Sequence, residues 1–470
     1  MDFTKWLPST VLEWLKIKQV QDGSILHTEE GVEQELSQYL AEGNVSRALE
    51  LFEDNSSAVK VAINEYETAT HKVMNRPNKH RKGKDSYITE KLPRAWQKYI
   101  NEIALFFLLN NPIEWNLEQG DDDVFKEFTA FLKNTRFNTT TREAKRLAGA
   151  ETQSAKLYHI YKDEDNKAQV KVIVLAKSKG YDLYPLIDQY GTMIAFAVKY
   201  SVKKQGKSVQ RLDIYTSKIN YQCEKINGQW QVLPTVNLLG KIPIVYFKQK
   251  KEWHGVEQRI HRDEMQDSKT ADVNNYFADP MVVATADVIQ GLKDPEGVGK
   301  VVQLQGHGSE FRYIEPPTSI NMKESEKNIN VKAILQDTLT PDFSFETLSG
   351  MGTLSGEALK RALVLGYIKR NRNIEIYEGL IDREKNLILS IMAEFTHVAK
   401  RSKIKETKIH MQFAEPFDEE IRERITNVGT AVSSGVMSIE TAVKTLRLVD
   451  DPEAEIERLK TQKEKPLFEE

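Results

Sequence analysis

The residues with the most chemical potential by type and spacing lie at 350–360. Gly350, Gly352 and Gly356 cluster there with Ser355, Glu357 and Lys360. Glycines packed this closely can expose backbone N–H groups to a phosphate. A dinucleotide loop, however, needs Gly-x-Gly-x-x-Gly after a strand, and Ser355 occupies the third glycine position. A phosphate loop ends in Gly-Lys-Ser/Thr, whereas Gly356 is followed by Glu357, whose carboxylate repels phosphate. The preceding stretch is polar and broken by Pro341, unlike a buried strand. Nucleotide binding is therefore set aside, and a mechanical reading remains. Gly350 and Gly352 bend the chain at little cost. Ser355 fits a helix N-cap, and Glu357 sits in the first turn, where the helix dipole favours negative charge. The pattern expects a mobile loop mounted on a rigid helix, suited to touching a large body that moves past it.

Other candidate sites are weaker. His254, His261 and Glu264 could mimic a metal cluster, but nine histidines scattered over 470 residues fit a solvated helix face better. Asp121, Asp122 and Asp123 are adjacent, so their side chains diverge, and a charged helix start is expected. The basic run Arg76-Pro77-Asn78-Lys79-His80-Arg81-Lys82-Gly83-Lys84 reads as a solvated surface loop, with contact to nucleic acid or an acidic partner as the alternative. His-Glu-x-x-His, Gly-x-Ser-x-Gly and deaminase signatures are missing. No catalytic residue, cofactor or metal is expected.

The length calls for two to four structural regions. With 40% apolar and 29% charged residues, the composition suits a soluble protein. The longest apolar run, residues 103–109, is under half a membrane span. The start Met1-Asp2-Phe3-Thr4 does not resemble a signal peptide. Cys223 is the only cysteine, so no internal disulfide forms, and assembly in a reducing cytoplasm is expected. A net charge of −3 argues against a tight sequence-specific DNA binder. It leaves room for DNA that slides, because few phosphate contacts then mean little ionic capture.

These features need elements to position them. A capping box at Thr10-Val11-Leu12-Glu13 opens the first helix, and helical spacing recurs over 29–40, 44–52, 59–73, 96–109 and 121–132. The period changes to two over 157–161, 170–176, 192–200, 210–215, 229–233 and 242–247, predicting mainly antiparallel sheet. A very polar helix is expected over 256–275, then a small β insert (281–284, 300–305, 311–314) and a second polar helix over 319–337. Helices so polar are expected to bridge domains or line a subunit boundary, not to pack in a monomeric core. After the glycine loop one helix is expected from 356 to about 400, about 65 Å long if straight. Gly366 and Gly379 are its expected bends. Ile374, Tyr377, Ile381, Ile388, Ile391, Phe395 and Val398 form its core stripe. A strand at 410–413, helices at 420–433 and 439–445 and a charged tail complete the chain.

In this order, four segments resemble the portal proteins of tailed double-stranded DNA bacteriophages of the siphovirus type. They are the helix from Lys98 ending in Asn110-Asn111-Pro112-Ile113-Glu114-Trp115, and the strand Gly240-Lys241-Ile242-Pro243-Ile244-Val245-Tyr246-Phe247. The others are Pro341-Asp342-Phe343-Ser344 through Ser355-Gly356-Glu357-Ala358-Leu359-Lys360, and Ser438-Ile439-Glu440-Thr441-Ala442 with Asp450-Asp451-Pro452-Glu453-Ala454-Glu455. The resemblance implies an α+β protein assembled as a dodecameric ring at one capsid vertex. It divides the chain into a wing (1–252), a first stem helix (253–277), a clip (278–318) and a second stem helix (319–338). A tunnel loop (339–356), a long helix returning through the wing (357–415) and a short crown with a tail (416–470) follow.

The implied function is a channel through which the genome is packaged and ejected, in the virion after assembly in the host cytoplasm. The implied partners are further copies of the chain, double-stranded DNA held without sequence specificity, the terminase large subunit, the major capsid and scaffolding proteins and a head–tail adaptor, with no membrane. Thr347, Leu348, Ser349, Gly350, Met351, Gly352, Thr353 and Leu354 would face the DNA. Lys323, Glu324, Glu326, Lys327 and Lys332 are candidate channel-lining charges. The alternatives are another phage head or head-closure protein, a DNA-processing enzyme and a soluble DNA-binding module.

Overall fold

The computed structural model describes residues 29–78, 88–204, 206–278, 282–284, 311–313, 320–344, 361, 363–417, 421–446, 448–449 and 452–464. The capping box at residues 10–13 lies outside them. Helices α1 (Glu29–Ala41), α2 (Val45–Glu50) and α3 (Ser56–Tyr66) open the described chain. Val32, Leu36 and Leu40 recur every fourth residue and are buried with Val45 and Ala48 in one core. The helix expected over 59–73 ends at Tyr66. Thr70 Oγ1 donates to the Asn64 and Glu67 carbonyls, each at 2.7 Å, and two 3-10 turns, Thr68–Thr70 and Lys72–Asn75, follow.

Helix α4 (Trp96–Leu109) buries Ile100, Ala104, Leu105, Phe107 and Leu108, as its apolar sequence predicts. Strand β1 (Glu114–Gln119) and helix α5 (Asp122–Asn134) follow, and Asp121 caps α5 by accepting from Asp123 N at 2.8 Å. Helix α6 (Phe137–Glu151) was not legible in the sequence. Thr139, Thr140 and Thr141 are weak helix formers and mask the period. Ala144, Ala148 and Gly149 let α6 approach its neighbours closely.

The β region comprises β2 (Gln153–Lys162), β3 (Ala168–Leu175), β4 (Asp182–Ile187), β5 (Met193–Lys204), β6 (Lys207–Thr216), β7 (Ile219–Ile226), β8 (Gln229–Val236) and β9 (Ile244–Lys248). A three-stranded sheet runs β3-β2-β9 and a five-stranded sheet β4-β5-β6-β7-β8. All pairs are antiparallel, as expected. Strands β4 and β7 escaped the sequence reading. Pro185 sits within β4, which is tolerated because β4 is an edge. The β7–β8 hairpin turns on Asn227 (φ 50) and Gly228 (φ 87), the left-handed pair that a two-residue hairpin requires. Phe196, Val198, Ala155, Leu157 and Ile244 form the core that joins the two sheets, while Leu212 and Ile214 on the opposite face of the larger sheet pack in the core with α1.

Next comes α7 (Glu257–Ala278), one residue inside and three beyond the expected limits. The strands β10 (Val282–Ala284) and β11 (Phe311–Tyr313) pair antiparallel, and α8 (Ile320–Asp337) follows. The strand expected at 300–305 lies outside the described residues. Helix α9 (Val364–Ile391) runs through both Gly366 and Gly379 without interruption, so neither divides it. The helix expected to reach Lys400 ends at Ile391. A π-helical turn (Met392–Thr396) and a 3-10 turn (Val398–Lys400) then carry the chain to α10 (Arg401–Glu406). Val398 is 54% exposed, so the core stripe stops before it.

Strand β12 (Lys408–Gln412) pairs with β1. The C-terminal part holds α11 (Ile421–Ser433), α12 (Ile439–Leu446) and α13 (Pro452–Glu464), the last where only a charged tail was expected. The result is an α+β architecture. Its largest core is built from α4, α5, α6, α9, β2, β9 and β12. A smaller core at the base of α7 and α8 joins Trp96, Ile100, Trp253, Val256, Ile260, Ile334 and Leu335.

Candidate functional site

The polar helices α7 and α8 lie antiparallel, because Arg259 meets Asp337 at one end and Asp267 meets Lys327 further along. Most of their links are polar. Arg262 binds Glu326 at 2.6 Å, Lys327 binds Asp267 at 2.5 Å, and Gln266 Nε2 donates to the Lys323 carbonyl at 2.8 Å. Asn330 Nδ2 donates to the Arg259 carbonyl at 2.9 Å.

The expectation that so polar a helix avoids intrachain packing does not hold for α7. Glu264, Ser268 and Asp272 recur every fourth residue along one face and are buried. They accept, in turn, from the backbone N–H groups of Arg94 (2.9 Å), Leu92 (3.0 Å) and Glu90 (2.8 Å). An extended chain advances about 6.6 Å in two residues and a helix about 6 Å in four, so the two registers match. The segment 90–94 is thus laid antiparallel along α7 and held by side chains instead of a partner strand.

Neighbouring contacts complete this seam. Asp263 accepts from Trp96 Nε1 at 2.8 Å and from Arg94 at 3.0 Å. Arg76 pairs with Asp272 at 2.5 Å and donates to the Glu90 carbonyl at 2.9 Å. Arg76 is therefore buried structural cement, not part of a solvated loop. Residues 79–84 of that basic run lie outside the described residues. Sequence reasoning missed the seam, although the i, i+4 spacing of Glu264, Ser268 and Asp272 was its visible signal.

His71 Nδ1 lies 2.5 Å from Glu264 Oε1, and its Nε2 contacts the Glu65 carbonyl at 2.7 Å. Burial opposes the imidazolium, but the hydrogen bond and charge of Glu264, with the Glu65 carbonyl, raise the His71 pKa above its ordinary value. A raised folded-state pKa contributes stability that is complete below the unfolded value, near 6.5, and lost as pH rises through the folded value. Unfolding followed by fluorescence from pH 5 to 9 is expected to show this alkaline loss in the wild type. His71→Gln should flatten it, and an unchanged profile would refute the assignment. The grouping of His254, His261 and Glu264 does not form: Glu264 serves His71, and His254 is exposed beside Glu257.

The five candidate channel charges divide into two sets. Glu326 and Lys327 are engaged across the helix pair. Lys323, Glu324 and Lys332 have no ion pair among the described residues, and Glu324 and Lys332 are exposed. Met322 and Ile329 on the same helix are also exposed.

Residues 338–344 are the root of the glycine loop. Tyr99 OH donates to the Pro341 carbonyl at 3.0 Å and accepts from Phe343 N at 2.9 Å. Phe343 lies against Phe106 and Phe107, and Lys369 Nζ on α9 donates to Thr340 Oγ1 at 3.3 Å. Beneath this root, Lys145 of α6 and Lys369 of α9 both bind the carboxylate of Glu252, Lys369 at 3.3 Å. Helix α6, α9 and the chain leading into α7 therefore share one buried ionic centre. Thr347, Leu348, Ser349, Gly350, Met351, Gly352, Thr353 and Leu354 lie outside the described residues.

Among the described residues no helix is long and apolar enough to cross a membrane. The chain is 23% identical over 412 residues, 80% of its length, to the portal protein of Bacillus phage SPP1, of which 76% is covered. Solved structures of similar shape include the neck of a native GTA particle computed with C12 symmetry (TM-score 0.44, 10% identity). That match covers 84% of this chain and 94% of the other. The virion of a native gene transfer agent particle matches with TM-score 0.43 and 10% identity, covering 85% and 95%. A family model described as phage portal protein, SPP1 Gp6-like, matches residues 52–466. That span takes in both sheets, the polar helix pair, the loop root and the C-terminal helices, and the chain accordingly belongs to the SPP1 Gp6-like family of phage portal proteins.

Proposed function

We propose that this portal protein works as a ring of twelve copies, with α7 and α8 as the staves of a channel at one capsid vertex. The family model and the matched relative are both described as phage portal proteins. A ring requires one heterologous interface that closes on itself. On this reading residues 1–252 form the wing, 253–277 and 319–338 the stem, 278–318 the clip, 339–356 the tunnel loop and 357–415 the return through the wing. Residues 416–470 form the crown. Double-stranded DNA passes through without sequence readout. A terminase large subunit, the capsid and scaffolding proteins and a head–tail adaptor dock on the outside, and assembly takes place in the host cytoplasm before incorporation into the virion.

The observation that carries this reading is the charge layout of the antiparallel pair. One side of α7 is consumed by the segment 90–94, and the charges between the helices neutralise each other. The exposed remainder mixes Lys269, Glu324 and Lys332, with Lys323 partly buried beside them. A wall of mixed sign flattens the attraction for phosphate, so counterion release is small and DNA slides in either direction. The tunnel loop residues Thr347–Leu354 would brush the duplex without ionic capture.

Two measurements test this. Purified chain should have the mass of a ring, and a persistent monomer would remove the reading. Lys323→Glu combined with Lys332→Glu shifts the balance of the wall towards acidic while leaving the interhelix pairs intact. Rings of this variant should form normally but package or retain less DNA per particle, by about twofold or more given that every copy repeats the change. Normal DNA content would show that these residues do not face the bore.

A further inference from the structure

A cavity of about 350 Å³ opens beside the ionic centre at the loop root, between the chain entering α7, the end of α8 and one flank of α9. Lys250, Lys251, Lys369 and Arg372 line it against only two carboxylates, Glu252 and Asp337. Both carboxylates are already engaged. Glu252 is shared by Lys145 and Lys369, and Asp337 faces Arg259 at 3.3 Å. Lys251 is balanced by Glu65 and Glu257 from outside the cavity. Lys250 and Arg372 have no ion pair among the described residues, and two buried ammonium groups share the single carboxylate of Glu252.

A second feature has the same sign. Asn373 is 7% exposed, lines the cavity, and its Nδ2 has no hydrogen-bond partner. Buried donors are nearly always satisfied, and one left over points to a missing acceptor. Burial pushes Lys369 below its ordinary pKa, the charge and hydrogen bond of Glu252 offset this only in part, and Lys145 and Arg372 add to the depression. An anion here would relieve both.

We infer that this cavity is an oxyanion site, taking a phosphate- or carboxylate-sized group on Arg372, Lys250 and the Asn373 amide. The planar guanidinium suits two parallel bonds to such a group. Two sources share this chemistry: free phosphate, and an acidic side chain of an adjoining copy. The second source rests on the ring reading, and the first does not.

The probe is inorganic phosphate, titrated by calorimetry at fixed ionic strength into the full chain, both as separated subunits and as assembled rings. Separated subunits should bind it under either source. Arg372→Ala should weaken that binding about tenfold or more, the loss of its charge-assisted hydrogen bonds, while Lys126→Ala on exposed α5 surface should leave it unchanged. Asn373→Ala, which carries no charge, should weaken binding at unchanged salt dependence. Phosphate binding to rings as well identifies a site filled from solution. Exclusion from rings, together with weakened assembly of Arg372→Glu, identifies a neighbour's carboxylate. Failure of separated subunits to bind phosphate, or binding indifferent to Arg372 and Asn373, overturns the proposal. A chain that never forms rings but still binds phosphate would sink the ring reading and leave the site standing.

Discussion

Glu252→Gln is expected to lower the stability of the chain by about 3–5 kcal/mol, the cost of removing one partner from a buried ionic cluster. The carboxylate of Glu252 accepts from Lys145, fully buried on α6, and from Lys369, 6% exposed on α9. It also accepts from Gln249 Nε2 at 3.0 Å. A neutral amide leaves two ammonium groups facing each other away from water. The pH dependence gives an independent check. Burial pushes the Glu252 carboxyl upward, but the charges of Lys145 and Lys369, with hydrogen bonds from Lys145 and Gln249, reverse this and bring it down to about 2. A depressed folded-state pKa means stability that is complete above the unfolded value and lost as pH falls through the folded one. The wild type should therefore lose this increment below about pH 4.5, the window set by the unfolded carboxyl, and Glu252→Gln should not.

The triple replacement Lys145→Met, Glu252→Leu, Lys369→Met separates two roles. Apolar substitution of a whole buried ion cluster is often neutral or stabilising, so denaturant unfolding should recover most of the loss. What it should not recover is the tie between Lys369 and Thr340 at the loop root. If the single variant unfolds at the wild-type midpoint, the cluster is not structurally coupled in this way.

The sequence shows most clearly those elements whose own periodicity decides them. Helix α4 is apolar nearly all round, and its limits were read to the residue because burial is the only environment it fits. The alternation in β5 and β6 likewise exposed the larger sheet. The polar pair α7 and α8 was legible as helix, yet its environment was not. Glu264, Ser268 and Asp272 look like solvated positions until the segment 90–94, well over a hundred residues earlier, supplies three backbone donors. A polar face signals burial only when its partner is known, and that partner is remote in sequence. Helix α6 was lost for the opposite reason, since tertiary packing overrides the poor propensity of Thr139–Thr141. Within the candidate site, Glu326 and Lys327 are engaged across the helix pair, which only the antiparallel register of α7 and α8 reveals.

Gly366 shows how a glycine can be present for its missing side chain alone. The sequence suggested a bend, and this residue lies in the first turn of α9, inside its continuous range. Its φ is not among the positive values of the chain. A Cβ placed there would meet Cζ of Phe107 at 2.2 Å and both Cε atoms at 2.5 Å. Phe107 is fully buried on α4 and edge-packed against Phe106, Tyr367 and Phe417. Its ring has no free direction in which to retreat. In an exposed helix Gly→Ala would stabilise by about 1 kcal/mol. Here overpacking should outweigh that gain, giving a net destabilisation of about 1–3 kcal/mol.

The same displacement would act on the loop root, because Phe107 also touches Phe343. Gly366→Ala should therefore lower the unfolding midpoint and also raise proteolytic cleavage after the root at Phe343. Gly379→Ala, where a Cβ meets nothing within 4 Å, should be neutral or stabilising in the separated chain. The compensating variant Gly366→Ala with Phe107→Leu shortens the ring that the new methyl strikes and should restore part of the loss. If Gly366→Ala matches Gly379→Ala in both assays, the close approach of α4 and α9 does not hold the root of the loop in place.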